Sequence, residues 1–250
     1  MPPKLALHFL GSPQLYLNND RVTIQRRKAL ALLAYLSIEH GQHQRDALSS
    51  LLWPDYEQSK AFANLRNALL GIQKSVGENW IIADRESIGL NETTNIWLDT
   101  SQFVSLLEKS QSETDTSLRI SLLADSVKLY RNHFLTGFSL KDAHSFNDWA
   151  YAVSEEHSHK LSTILTMLSN DLCSQGQADS AIPHARRLVS LDPLNESAHS
   201  HLMEVYIQAG QHNAALKQYQ TLEKTLRKEL NLDPQPETRE LYPDSVPSFG

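Results

Sequence analysis

The chain has 250 residues, of which 40% are hydrophobic and 21% charged, a balance that supports a buried core and argues against wholesale disorder. Its formal charge is −6, and residues 1–100 carry ten of the 23 Lys+Arg and ten of the 29 Asp+Glu, so the acidity belongs to the second half. Nucleic-acid binding by bulk charge is thereby excluded, and any DNA affinity must come from local clustering of cations.

Leu5, Leu7 and Phe9 alternate with Ala6, His8 and Leu10, which predicts a strand ended by Gly11-Ser12-Pro13. Leu15-Tyr16-Leu17 and Val22-Thr23-Ile24 flank Asn18-Asn19-Asp20, residues that tolerate the positive φ of a tight turn. Residues 1–24 are therefore expected to form a small antiparallel sheet. The period then changes. Leu30, Leu33, Ala34 and Ser37 fall on one helical face before Gly41 stops the run. A second short helix covers Arg45 to Trp53 with Pro54 just beyond it, and a third runs from about Glu57 to Val76 and ends at Gly77. In the third helix Phe62, Leu65, Leu69, Ile72 and Val76 recur at three- and four-residue steps, which makes one buried stripe. Trp80-Ile81-Ile82-Ala83 and Ile88-Gly89-Leu90 flank a polar run, so a hairpin is expected over 80–91. Sheet, three helices and hairpin in this order fit a winged helix-turn-helix with the third helix as reader; the pattern alone equally fits another small α+β domain.

From about residue 101 to 230 only helical periods are found. Phe103, Leu106 and Leu107 form one short stripe, and Leu118, Leu122, Val127 and Tyr130 form another. Gly137 breaks the chain before a long helix containing Phe146, Trp149, Tyr151 and Val153. Residues 162–193 and 196–229 then resemble one another at a period of 34: Gly176 matches Gly210, Ala181 matches Ala215, Leu168 matches Leu202, and Leu188 matches Leu222. This is the tetratricopeptide spacing, in which small residues let paired helices approach and stacked pairs share a core.

The run "RRKALALLAYLSIEHGQHQRDALSSLLWPDYEQSKAFANLRNALLGIQKSVG" resembles the OmpR-type winged-helix domain of the Streptomyces antibiotic regulatory protein family. The matching pieces are the basic-then-leucine first helix, Gly41 before the short second helix, and "LLWPD" leading into "ANLRNAL". The strings "LADSVKLYRNHFLTGF", "LDPLNESAHSHLM" and "HLMEVYIQAGQHNAALKQYQTLEKTLRKELNLDPQPETRELY" resemble the bacterial transcriptional activation domain that follows in the same family. The resemblance covers roughly residues 5–242. It implies a mainly α protein: an α+β winged helix-turn-helix DNA-binding domain over 1–98, then an all-α tetratricopeptide-like activation domain over 99–242. The closing "PDSVPSFG", residues 243–250, reads as a linker. Larger members of the family continue into a nucleotide-binding module of the signal-transduction ATPase kind.

In the third helix a 100° step places Lys60, Ala63, Asn67, Leu70 and Lys74 outward when Leu65, Leu69 and Val76 face inward, with Asn64 and Arg66 flanking. Asn bonds adenine bidentately, and Arg bonds guanine or a phosphate. A merely solvated face has the same pattern. Family members commonly carry arginines late in this helix, where this sequence has Gly71-Ile72-Gln73-Lys74. Arg26, Arg27 and Lys28 open the first helix, and Arg26 and Arg27 are candidates for phosphate. Arg85 at the wing tip is a candidate for a narrow minor groove, with Asp84 and Glu86 beside it arguing against that role.

No nucleophile elbow, Walker loop, dinucleotide fingerprint or Cys-x-x-Cys is found, and the His pairs lack zinc-ligand spacing, so no catalytic, cofactor or metal site is expected. The longest apolar stretch, Ala29 to Leu36, is too short to cross a bilayer, and Cys173 stands alone, which fits a reducing cytoplasm. The resulting expectation is a sequence-specific transcriptional regulator, by resemblance an activator, bound to double-stranded DNA. Its helical domain would contact a second protomer as a homodimer, RNA polymerase, or downstream nucleotide-binding domains in a longer chain. The alternative is an adaptor or sensor-scaffold fragment of a larger signalling ATPase in which the winged helix binds protein and not DNA.

Overall fold

The computed structural model describes residues 4–240, so the linker reading of 243–250 lies outside the described residues. The described chain divides into two compact units, residues 4–105 with 128–157 and residues 106–127 with 158–240.

The first unit opens with β1 (Leu5–His8), β2 (Gln14–Leu17) and β3 (Asp20–Val22), an antiparallel meander whose turn uses positive φ at Asn18 and Asn19. Alternation puts Leu5, Leu7 and Leu15 into the core. A strand not foreseen from the sequence, β7 (Ile96–Leu98), lies parallel to β1 and completes the order β3-β2-β1-β7.

Helix α1 (Arg27–Ile38) buries Ala29, Ala31, Leu32, Leu33, Ala34 and Leu36. The single apolar face expected for it is thus too narrow: α1 is covered nearly all round, and Leu30 is only half-buried. After Gly41 come β4 (Gln42–Gln44), α2 (Arg45–Leu52) and α3 (Gln58–Val76), then β5 (Ile81–Ala83) and β6 (Ser87–Leu90). The expected hairpin is present, but it is part of a three-stranded wing with order β4-β6-β5. Gly89 makes this pairing possible, because a Cβ there would run into the Gly41 carbonyl and the Gln42 side chain. The arrangement is a winged helix-turn-helix.

Three further helices begin with α4 (Asp99–Ser112), α5 (Thr116–Leu129) and α6 (His144–Ser174). Phe134, Leu135, Leu140, Ala143, Phe146 and Val153 are buried in one cluster with the winged-helix core. Trp149 Nε1 donates to Glu39 Oε1 at 2.7 Å, and its ring lies 4.9 Å from that of Tyr35 near the end of α1. A lone antiparallel bridge joins Leu10 to Phe134, a departure from the wholly helical second half expected. The stripe expected on α5 holds at Val127 and Tyr130, which are buried, but fails at its start: Leu118 is 49% exposed, Leu122 is half-buried and Leu123 takes the inner position, because the helix's apolar residues are too evenly spread for periodicity to choose a face.

The second unit holds the repeat: α6 from residue 158, α7 (Ala178–Leu191), α8 (Glu196–Gln208) and α9 (His212–Leu230), with the short α10 (Pro236–Glu240) after them. The two inter-helix turns are superposable in detail. Gly176 and Gly210 both take φ +71°; Gln177 N–H donates to Leu172 O and Gln211 N–H to Tyr206 O, each at 2.8 Å. Both are left-handed glycine caps that satisfy the last carbonyls of a helix. Ala181 and Ala215 are 0% exposed, as the repeat alignment requires of residues at helix crossings. The His199 ring is held between Gln218, at 2.7 Å from Nδ1, and the Pro193 carbonyl, at 3.1 Å from Nε2, and burial pushes its pKa down. Among the described residues no helix is long and apolar enough to cross a membrane.

Candidate nucleic-acid interface

The third helix sets the geometry. Glu57 enters it in an extended conformation, and Gly77, at φ +98°, ends it. Ala61, Leu65, Ala68, Leu69, Ile72 and Val76 are buried, which fixes the helix's rotation about its own axis. Lys60, Ala63, Arg66, Asn67, Leu70 and Lys74 are exposed on the opposite side, with Asn64 half-buried at the margin. Helical phase alone had assigned this face. Phe62, placed in the apolar stripe, is only half-buried, and Ala61 and Ala68 take up the inner positions instead.

Arg66, Asn67 and Lys74 enter no hydrogen bond or ion pair with another described residue. Their polar groups are therefore free to meet a ligand without first breaking an internal contact. Lys60 leans its ammonium over the Tyr56 ring at 5.0 Å, which steadies the head group without neutralising it. Lys60 and Lys74 are four turns apart, about 21 Å along the axis at 1.5 Å per residue, so the cations bracket Asn67.

The basic run at the start of α1 is divided by helical phase. Arg26, the residue just before the helix, is exposed and shares a concavity of about 260 Å³ with Gln25, Asn67, Leu70, Gly71, Lys74 and Ser75. Arg27 points elsewhere: its Nη2 donates to the Ser139 carbonyl at 2.7 Å, and its guanidinium sits 4.7 Å from the centre of the Phe138 ring. Lys28 pairs with Asp142 at 2.7 Å and lies over the Trp53 and Tyr56 rings. The hydrogen bond from Lys28 holds the Asp142 carboxyl below the usual carboxylate range. Of the two arginines singled out in the sequence, Arg26 thus joins the face of α3 and Arg27 is occupied within the protein. The partners of Arg27 and Lys28 are more than a hundred residues away along the chain, beyond any local signal.

Arg85 occupies the turn between β5 and β6 and is exposed. Its neighbour Asp84 closes that turn, accepting the N–H groups of Glu86 and Ser87 at 2.7 Å each and the Ser87 hydroxyl at 3.1 Å. The Ser87 and Glu86 amides hold the Asp84 carboxyl low. Arg45 Nε fastens the turn from α2 by donating to the Asp84 carbonyl at 2.8 Å. Asp84 is therefore committed to backbone donors and is not paired with Arg85.

Sequence reasoning passed over Gln25 and Ser75, which line the concavity, and left Leu70 without a role. The signal that finds all three is the meeting of two helix ends, and only the fold supplies it. Among the described residues, no group of three or more His, Cys, Asp or Glu side chains could hold a metal ion.

The family described as the bacterial transcriptional activator domain matches residues 98–244. The chain is 25% identical over 253 residues to the transcriptional regulatory protein MoaR1 of Mycobacterium tuberculosis, covering 95% of this chain and 78% of that protein. The same-named protein of Mycobacterium bovis matches at 25% over 250 residues, with the same shares of each chain. Among solved structures, Mycobacterium tuberculosis EmbR in complex with low affinity phosphopeptide superposes with a TM-score of 0.74 at 21% identity, over 96% of this chain. At that identity the likeness is one of fold. The chain spans 64% of that solved chain's length.

Proposed function

Because the chain belongs to the bacterial transcriptional activator domain family, in the architecture of the Streptomyces antibiotic regulatory proteins, it is a transcriptional regulator, and we propose that it acts by laying α3 in the major groove of double-stranded DNA. The observation that carries the reading is the outer face of α3, where Arg66, Asn67 and Lys74 are exposed and uncommitted beside Arg26. Asn67, central on that face, reads a base edge, with Asn64 beside it. Lys60 and Arg66 meet phosphates. Arg26 and Lys74 meet another across their shared concavity, and Arg85 enters the adjacent minor groove. On this reading residues 1–98 are the DNA-binding module and 99–242 the activation domain. The tetratricopeptide-like helices dock a second protomer or RNA polymerase, in the cytoplasm, and the regulator works by recruitment and not by catalysis.

The test is a binding titration of the full-length protein at two salt concentrations on selected and scrambled duplexes. Replacing Asn67 by Ala should erase about 1–3 kcal/mol of sequence discrimination, since that is what a good base contact supplies. Replacing Lys60 or Arg66 by Ala should weaken binding to every sequence and reduce the salt slope by about one unit. If the wild type shows no salt-dependent DNA binding, as monomer or dimer, the reading fails. A protein-docking adaptor, which the zero net charge of residues 1–100 favours, takes its place.

A further inference from the structure

Leu70 stands apart from the other leucines of α3. Leu65 and Leu69 are buried, while Leu70 is 47% exposed on a face that, apart from Ala63, is otherwise made of lysine, arginine and asparagine. A lone exposed leucine is ordinary on a protein surface and by itself says nothing. This one, however, lines the concavity between Asn67 and Lys74 with Arg26 also in its wall. A ligand that fills the hollow must offer an anion to Arg26 and Lys74 and an apolar group to Leu70. A free phosphate offers only the first. Duplex DNA offers both, since the major-groove edge of thymine carries a methyl group close to the backbone phosphates.

Resting on the reading of α3 as the DNA-reading helix, we propose that Leu70 is a specificity-determining residue that packs on the 5-methyl group of a thymine. Its position sets where that thymine lies. Leu70 follows Asn67 by three residues, about 4.5 Å along the helix axis and about 60° short of a full turn. With bases spaced about 3.4 Å apart along a strand, the thymine falls within about two base pairs of the base that Asn67 reads. Ala63, one heptad earlier on the same face, offers a smaller apolar group, so the thymine read by Leu70 is the one whose methyl sensitivity disappears in the Leu70 variants.

The experiment begins with duplexes selected from a random pool by the full-length protein. Each thymine is then replaced in turn by deoxyuridine, which removes only the methyl. At one position, within about two base pairs of the position whose preference Asn67→Ala abolishes, the replacement should weaken wild-type binding about fourfold, the worth of one buried methylene-sized group. Leu70→Ala and Leu70→Gln should bind the thymine and deoxyuridine duplexes equally, with unchanged melting curves because the side chain is outside the core. The proposal is overturned if no thymine is methyl-sensitive, which the wild-type series alone decides. It is also overturned if the Leu70 variants keep the wild-type sensitivity. In both cases salt-dependent, selective DNA binding survives and the regulator reading stands; absence of any selected sequence sinks both.

Discussion

Asp99 offers the sharpest physical test of the first unit. It is the first residue of α4, directly after β7, and its side chain is 0% exposed. One carboxyl oxygen accepts the Phe9 N–H at 2.8 Å, the other accepts the Leu10 N–H at 3.0 Å, and Arg131 stands 3.8 Å away. Burial pushes its pKa up to about 6, against the pull of the two amides and of Arg131. Asp99→Asn keeps one acceptor but turns an NH2 group toward the other buried amide, an unsatisfied arrangement worth about 1–3 kcal/mol. The pH dependence has a definite sign. A carboxyl whose folded pKa lies above its unfolded value of 3.8 stabilises the fold most in acid, and that contribution is lost as pH rises through about 6. At about 1.4 kcal/mol per unit, wild type loses about 2 kcal/mol of this contribution between roughly pH 4.5 and 7.5, whereas the variant, having no carboxyl there, loses none. The destabilisation caused by Asp99→Asn should therefore shrink by that amount across the range, as other groups cancel in the difference. All four tryptophans, Trp53, Trp80, Trp97 and Trp149, lie in the first unit, so urea unfolding followed by tryptophan emission reports it directly. A gap that stays constant or widens toward pH 7.5 would refute the reasoning. The amides and Arg131 would then outweigh burial and keep Asp99 ionised throughout.

Gly71 sits in the interior of α3, and a Cβ built on it would meet only the Ala29 Cβ, at an ordinary 3.7 Å. Gly71→Ala should thus raise stability by about 0.5–1 kcal/mol through helix propensity, seen as a higher urea midpoint; a lower one would mean that α1 and α3 need the missing side chain. Ala215 is fully buried in α9, so Ala215→Leu should cost about 1–3 kcal/mol and lower the melting temperature followed by far-ultraviolet circular dichroism. An unchanged melting temperature would show that the site can absorb three more heavy atoms' worth of volume and that close helix approach is not what the small residue serves.

Much of this architecture was legible because its cause is local. Alternation in Leu5–Phe9 and the asparagines of the turn between β2 and β3 specify strands and hairpin within a few residues, and the spacing of Leu65, Leu69, Ile72 and Val76 orients α3. The 34-residue period paired Gly176 with Gly210 and Ala181 with Ala215 because each repeat solves the same packing problem with the same residues. Other features have causes that lie far along the chain. The polar strand Gln42–Gln44 shows no apolar alternation and exists because Gly89 admits the Gly41 carbonyl. Ile96–Leu98 pairs with β1 across some ninety residues, and the buried amides of Phe9 and Leu10 find their acceptor in Asp99 at a similar remove. Arg26, Arg27 and Lys28 are alike in sequence, yet one faces α3 and two are held by residues 138–142. Sequence by itself determined the inward faces of β1 and α3, since those depend on spacing along one segment, but not those of α1 and α5, whose apolar residues are spread too widely to single out a face. The tertiary structure decided which cations remain free for a ligand, because a charge is spent or spared by the neighbours that folding brings to it.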